Sequence, residues 1–237
     1  MKQNRHIAAI ILLLGMTALQ YGCAKVTPIA TGNYFGDVVE LQEREALAAY
    51  PELATRQGKF LRVRLGPDPS ASGRSRTYED IPVCEDQGNC LLHRLVEVDG
   101  DSQTAVIYEQ FYEGHAAELL DLRSGESIDL EDVPHIAPHG QYWIVADSDY
   151  GYGNGRVQIV ARSQPGFAIA AAEFKHGYCS FAAWRDDRTA VLYCPVAGDG
   201  GVNFDDIRET NVSRNADGSW SEQETERKVS YDTYMAP

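Results

Sequence analysis

Between Lys59 and Leu65 the chain alternates, with Leu61, Val63 and Leu65 on one side of an extended backbone and Arg62 and Arg64 on the other. Successive strand side chains point to opposite faces, so this period of two predicts a half-buried strand. Further strand-like runs lie at 91–98, 104–111, 117–122, 141–146, 156–162, 167–174, 179–184, 189–194 and 207–212. Turn pairs separate them, among them Asp99-Gly100, Ser124-Gly125, His139-Gly140, Pro165-Gly166 and Asp217-Gly218. The Pro-, Ser- and Gly-rich stretch 66–75 predicts a loop. One segment has helical spacing: Asp37 is placed to cap, Glu40 follows three residues on, and Val38, Leu41, Ala48 and Ala49 keep roughly helical spacing. Pro51 ends or restarts this helix, and Gly58 is a natural stop. Many short strands with hairpin punctuation and one short N-terminal helix predict an all-β body.

A weak internal repeat refines this. The run Leu119-Leu120-Asp121-Leu122-Arg123-Ser124-Gly125-Glu126-Ser127-Ile128 precedes Gln141-Tyr142-Trp143-Ile144-Val145. About 41 residues later, Ile159-Val160-Ala161-Arg162-Ser163-Gln164-Pro165-Gly166-Phe167-Ala168-Ile169 precedes Thr189-Ala190-Val191-Leu192. Each unit reads strand, tight turn, strand, polar turn, strand. Over about residues 117–220 this resembles the four-stranded blade of WD-repeat and related β-propellers, although the Trp-Asp and Gly-His signatures are absent. The resemblance implies propeller-like repeats; a β-sandwich with irregular hairpins accommodates the same strands.

The N-terminus has a different pattern. Lys2 and Arg5 precede an apolar run from Ile7 to about Leu19, which as a helix spans about 20 Å, too short for a hydrocarbon core of about 30 Å. Residues 1–22 therefore read as a signal peptide. The following Leu19-Gln20-Tyr21-Gly22-Cys23 resembles the lipobox of bacterial lipoproteins, with Gly22 and Cys23 fitting and Gln20 and Tyr21 departing from the pattern. The resemblance implies lipidation of Cys23. With Ala24 rather than Asp next, it also implies an outer-membrane lipoprotein facing the periplasm. Cleavage beside Gly22-Cys23-Ala24 with soluble secretion is the alternative. Residues 23–36 then form a tether and 37–237 a single β-rich domain.

Across its 237 residues the chain carries 21 Lys and Arg against 35 Asp and Glu, a formal charge of −14. Removing residues 1–22 takes away Lys2 and Arg5 and no acid, leaving −16. Such acidity disfavours a nucleic-acid partner, because phosphate binding depends on displaced counterions. It favours a basic protein partner. Against that background Lys59, Arg62, Arg64, Arg74 and Arg76 form a local basic stretch, with Arg62 and Arg64 candidates for contact with an anionic surface or partner.

The chain has five cysteines. With Cys23 at the signal-peptide boundary, four remain, and in an exported protein their local spacing favours the pairs Cys84–Cys90 and Cys179–Cys194. A bridge closing about 15 residues contributes about 3 kcal/mol.

The loop Asp147-Ser148-Asp149-Tyr150-Gly151-Tyr152-Gly153-Asn154-Gly155 places carboxylates at alternate positions on a glycine-rich turn. Asp147 and Asp149 are candidate calcium ligands on that ground, although Gln158 stands where an EF-hand requires a bidentate glutamate. Tyr142, Trp143, Tyr150 and Tyr152 are candidates for an aromatic binding platform. His135 and His139 are four apart, but Pro134 and Pro138 exclude a shared helical face. No catalytic motif is present: there is no G-x-S-x-G elbow, H-E-x-x-H, phosphate loop or dinucleotide fingerprint. The sequence thus points to a non-enzymatic, protein-binding envelope lipoprotein, with inhibitor or toxin-immunity protein as its specific role. The alternatives are an envelope-assembly scaffold, or an exported glycan or lipid hydrolase using Asp147, Asp149 and His139.

Overall fold

A computed structural model describes residues 37–66, 73–81, 90–112, 114–148, 155–172, 174–198 and 201–235. Among these the protein is almost entirely β. Helix α1 (Asp37–Ala49) leads into a three-stranded sheet of β1 (Ala54–Gln57), β2 (Phe60–Arg64) and β3 (Ser75–Glu79). A second sheet holds β4 (Leu91–Asp99), β5 (Thr104–Phe111), β6 (Gly114–Asp121) and β7 (Ser127–Leu130). The third holds β8 (His135–Ile136), β9 (Tyr142–Ala146), β10 (Val157–Arg162) and β11 (Phe167–Ala171). The fourth holds β12 (Ser180–Asp186), β13 (Thr189–Gly198), β14 (Gly201–Arg214) and β15 (Trp220–Val229), followed by the short helix α2 (Tyr231–Tyr234). Every pairing is antiparallel and joins consecutive strands, so each sheet is a meander.

The hydrophobic pattern dictates how the sheets stack. In β5, Ala105 and Ile107 pack in one core with Leu61 and Val63 of the first sheet, while the intervening Val106 and Tyr108 pack in a second core with Trp143 and Val145. In β9 the same division recurs: Trp143 and Val145 face the second sheet, and Ile144 and Ala146 join Ala190, Leu192 and Val212 of the fourth. A strand apolar at every position is what burial on both faces requires. The two middle sheets therefore sit between neighbours, and three cores link the four sheets in chain order. The first sheet shows the opposite pattern, since β2 alternates exposed and buried residues and offers only one face to a core. Among the described residues no core cluster joins the fourth sheet to the first.

The repeat has a structural counterpart. The units 119–128 and 159–169 are the third and fourth strands of the second and third sheets, and 141–145 and 189–192 begin the second strands of the third and fourth.

Three expectations need correction. Helix α1 buries Val39, Gln42, Glu43 and Ala46, whereas Leu41 is 47% exposed and Ala48 and Ala49 face solvent. Its inward stripe includes a glutamate because arginines on β1 and β4 meet it there. The helix does not restart after Pro51; residues 54–57 form β1, and Gly58, at φ +57°, turns the β1–β2 hairpin. The expected loop at 66–75 ends where Ser75 opens β3, while residues 67–72 lie outside the described residues.

Candidate functional site

A dense charged constellation lies where α1, the first sheet and β4 meet. Arg56 on β1 faces inward, opposite Leu61, and its guanidinium reaches Glu43 Oε1 of α1 at 2.6 Å and Asp80 Oδ2 at 2.9 Å. It also donates to the His93 carbonyl. Arg94 Nη1 donates to the same Asp80 oxygen at 2.8 Å, and the His93 amide donates to Asp80 Oδ1 at 2.8 Å. Glu43 Oε1 additionally accepts the Leu95 amide at 3.3 Å. Burial alone would raise the Asp80 pKa, but the His93 amide and the two guanidiniums outweigh it and hold the carboxyl below its ordinary range. For His93 burial dominates, pushing the imidazole down despite neighbouring Asp80. Two carboxylates against two guanidiniums leave this knot electrically balanced, suited to clamping elements together.

The polar track continues between the first two sheets. Arg76 of β3 pairs with Glu118 of β6 at 2.6 Å, and Glu118 is 2% exposed. Nearby Glu109 is pushed up by burial and by the charges of Glu118 and Asp129. Arg162 plays a similar bridging part between the second and third sheets. Its guanidinium holds Asp121 at 2.9 Å, donates to the Ser102 carbonyl at 2.6 Å, and lies 5.5 Å from the ring centres of both Trp143 and Phe167.

Placed on this frame, the expected site residues separate. Trp143 is 1% exposed and belongs to the second core, so it is a packing residue and not part of a binding platform. Tyr142 is half-buried, edge-on to Trp220 and beneath Arg214. The two rings point to opposite faces of β9, because they are consecutive strand residues. Tyr150, Tyr152 and Asp149 lie outside the described residues. Arg62 and Arg64 both stand exposed on the outer face of the first sheet. Cys179 and Cys194 form the expected disulfide. Cys90 is disulfide-bonded as well, while Cys84 and Cys23 lie outside the described residues.

Asp147 is 1% exposed, and its Oδ2 accepts the Gly155 amide at 2.9 Å across the mouth of the loop it begins. Gly155 itself returns the chain at φ +63°, where a Cβ would strike the Tyr178 ring at 2.7 Å. Among the described residues no group of three His, Cys, Asp or Glu side chains is arranged to hold a metal ion. His139 sits on the surface, pairing with Asp187 through both its ring and its amide.

Two features escaped the sequence reading. Tyr234 of α2 is 2% exposed and its hydroxyl donates to the Tyr178 carbonyl at 2.6 Å, so the C-terminal turn latches onto the segment beside the Cys179–Cys194 bridge. The latch is held by Ser230, which caps α2 by accepting the Thr233 amide, and by Phe204 and Tyr231 around the Tyr234 ring. Second, the His135 ring lies face to face with Phe181 at 4.0 Å, and burial depresses its pKa to about 4 against the opposing pull of Asp132. Neither feature has a motif; the only available signal was a Tyr-containing terminal segment preceded by a capping serine.

Compared with known proteins, the chain matches no family model and no curated protein sequence.

Proposed function

We propose that this chain is a non-enzymatic, protein-binding lipoprotein of the cell envelope, anchored through Cys23 at the periplasmic face of the outer membrane. Inhibition or toxin immunity is the role that fits it best. The meanders stacked in chain order are read as blades of a propeller-like body. The observation that carries the binding reading is β15, a ten-residue edge strand whose far side has no strand partner among the described residues. It presents Glu224 and Glu226 to solvent, and β14 adds the exposed Asp205. An edge strand offers a row of backbone donors and acceptors, and flanking carboxylates would steer a basic partner and raise its association rate.

Affinity capture from envelope extract is expected to recover a stoichiometric basic partner, with recovery falling as salt rises. Glu226→Lys should reduce that recovery while leaving the thermal midpoint within a few degrees, since Glu226 is exposed, whereas Glu224 also pairs with His176 and Arg208. Recovery of no partner, or equal recovery by the charge-reversed variant, would count against β15 as the binding edge.

A further inference from the structure

The outer face of the first sheet carries two exposed arginines in a strongly acidic chain. Thr55, Gln57, Phe60, Arg62, Arg64, Thr77 and Glu79 are all exposed, while Leu61 and Val63 between them are fully buried in the first core. The register sets Arg62 beside Thr55 and Thr77, Arg64 beside Ser75, and Phe60 beside Gln57 and Glu79. Lys59 pairs with Glu79 and lies 5.2 Å from the Phe60 ring centre. Arg62 and Arg64, by contrast, meet no carboxylate within ion-pair distance among the described residues, in a chain carrying 35 of them. Arg62 Nε donates a hydrogen bond to Ser75 Oγ at 2.9 Å. The face is therefore an exposed three-stranded surface with two arginines that no described carboxylate neutralises and an aromatic ring 41% exposed beside them.

We infer that this face rests on an anionic phospholipid surface and fixes the orientation of the body relative to the membrane. The inference builds on the anchoring proposed above. The first sheet follows α1 directly, and α1 begins 14 residues after Cys23, within reach of a tether no longer than about 50 Å when fully extended. Charge complementarity selects the face. The rest of the mature chain is strongly acidic and is repelled by anionic lipid, whereas arginines near such a surface are attracted within about a Debye length. Phe60 adds an apolar group of the kind that settles at the headgroup boundary.

The test uses the mature chain purified from the exporting cell, carrying Thr77→Cys labelled with a polarity-sensitive dye, on vesicles of phosphatidylcholine with and without 30% phosphatidylglycerol. A second preparation carries the dye at Gln223→Cys on the exposed edge strand β15. A lipid anchor alone inserts into both vesicle types and leaves the two dyes alike. The inferred contact gives a blue shift at position 77 that depends on phosphatidylglycerol, is reversed by high salt, and is missing at position 223. R62Q/R64Q should weaken that response by about 30-fold in the phosphatidylglycerol concentration needed, and R62E/R64E by more. Absence of the shift at position 77, an equal shift at position 223, or an unchanged response in R62E/R64E overturns the inference. Failure of the mature chain to bind pure phosphatidylcholine vesicles would instead overturn the anchor, and a phosphatidylglycerol-dependent shift would still support the face.

Discussion

Arg56→Met is expected to destabilise the protein by about 3–5 kcal/mol, the range for removing one partner from a buried ion pair. The substitution keeps an unbranched stem and removes the guanidinium, so the loss comes from Glu43 and Asp80, each 7% exposed, which are left with Arg94 as their one shared guanidinium. The His93 carbonyl also loses a donor, although Arg94 Nη1 still reaches it at 2.8 Å. Urea denaturation followed by circular dichroism checks this. Because the penalty arises from two buried carboxylates left with one guanidinium between them, adding Glu43→Gln to Arg56→Met should restore part of the loss, a non-additivity expected of residues sharing one network. A change below about 0.5 kcal/mol for Arg56→Met would mean that the knot behaves as a surface pair and clamps nothing.

The second large effect is on the pH dependence of stability. His135 is uncharged in the folded and unfolded states at neutral pH. Below about 6.5 the unfolded chain takes up a proton, while the folded ring, stacked on Phe181, resists until about 4. Between those values the unfolded state binds more protons, so this residue makes stability fall as pH falls. The slope approaches about 1.4 kcal/mol per pH unit and the total is at most about 3 kcal/mol, reduced by whatever hydration reaches the half-buried residue. His93, also depressed, acts in the same direction. Glu97, pushed up to about 7 by burial and by Asp99, and Glu109 act in the opposite direction: their folded forms retain a proton as pH rises, so they add stability as pH falls. The wild-type profile is therefore a sum of opposing contributions, and the difference from a variant isolates His135. His135→Phe keeps a ring against Phe181 and cannot titrate. From pH 7 to pH 4 the wild type should lose up to about 3 kcal/mol relative to this variant. Parallel stability curves would show that His135 is not held neutral.

Much of the fold was legible because burial writes itself into the pattern. β2 alternates because one face alone meets a core, and β9 and residues 105–108 of β5 are apolar at every position because both faces do. The strands that escaped notice lack that signature for physical reasons. In β1 and β3 the inward positions are partly charged: Arg56 enters the ion knot and Arg76 pairs with buried Glu118. β8 is only two residues long, and β15 is a polar edge strand with most of its surface in solvent. The helical stripe was misplaced by one position for the same reason as β1, since Glu43 points inward to meet Arg56. Of the site, Arg62 and Arg64 were legible as an outward face of β2, whereas Trp143 was not legible as core, because an aromatic pair in sequence does not reveal which ring faces a neighbouring sheet. The knot of Glu43, Arg56, Asp80, His93 and Arg94 draws on four separate stretches of chain that are brought together only by the stacking of sheets.

Anchoring at Cys23 underlies both the proposed function and the orientation of the basic face. Intact-mass measurement of the chain purified from membranes, with fragmentation of its N-terminus, tests it directly. The expected species begins at Cys23, lacks residues 1–22, and carries a thioether-linked diacylglycerol on that cysteine. A mature chain that begins after Cys23, or one whose Cys23 carries no lipid, would contradict it.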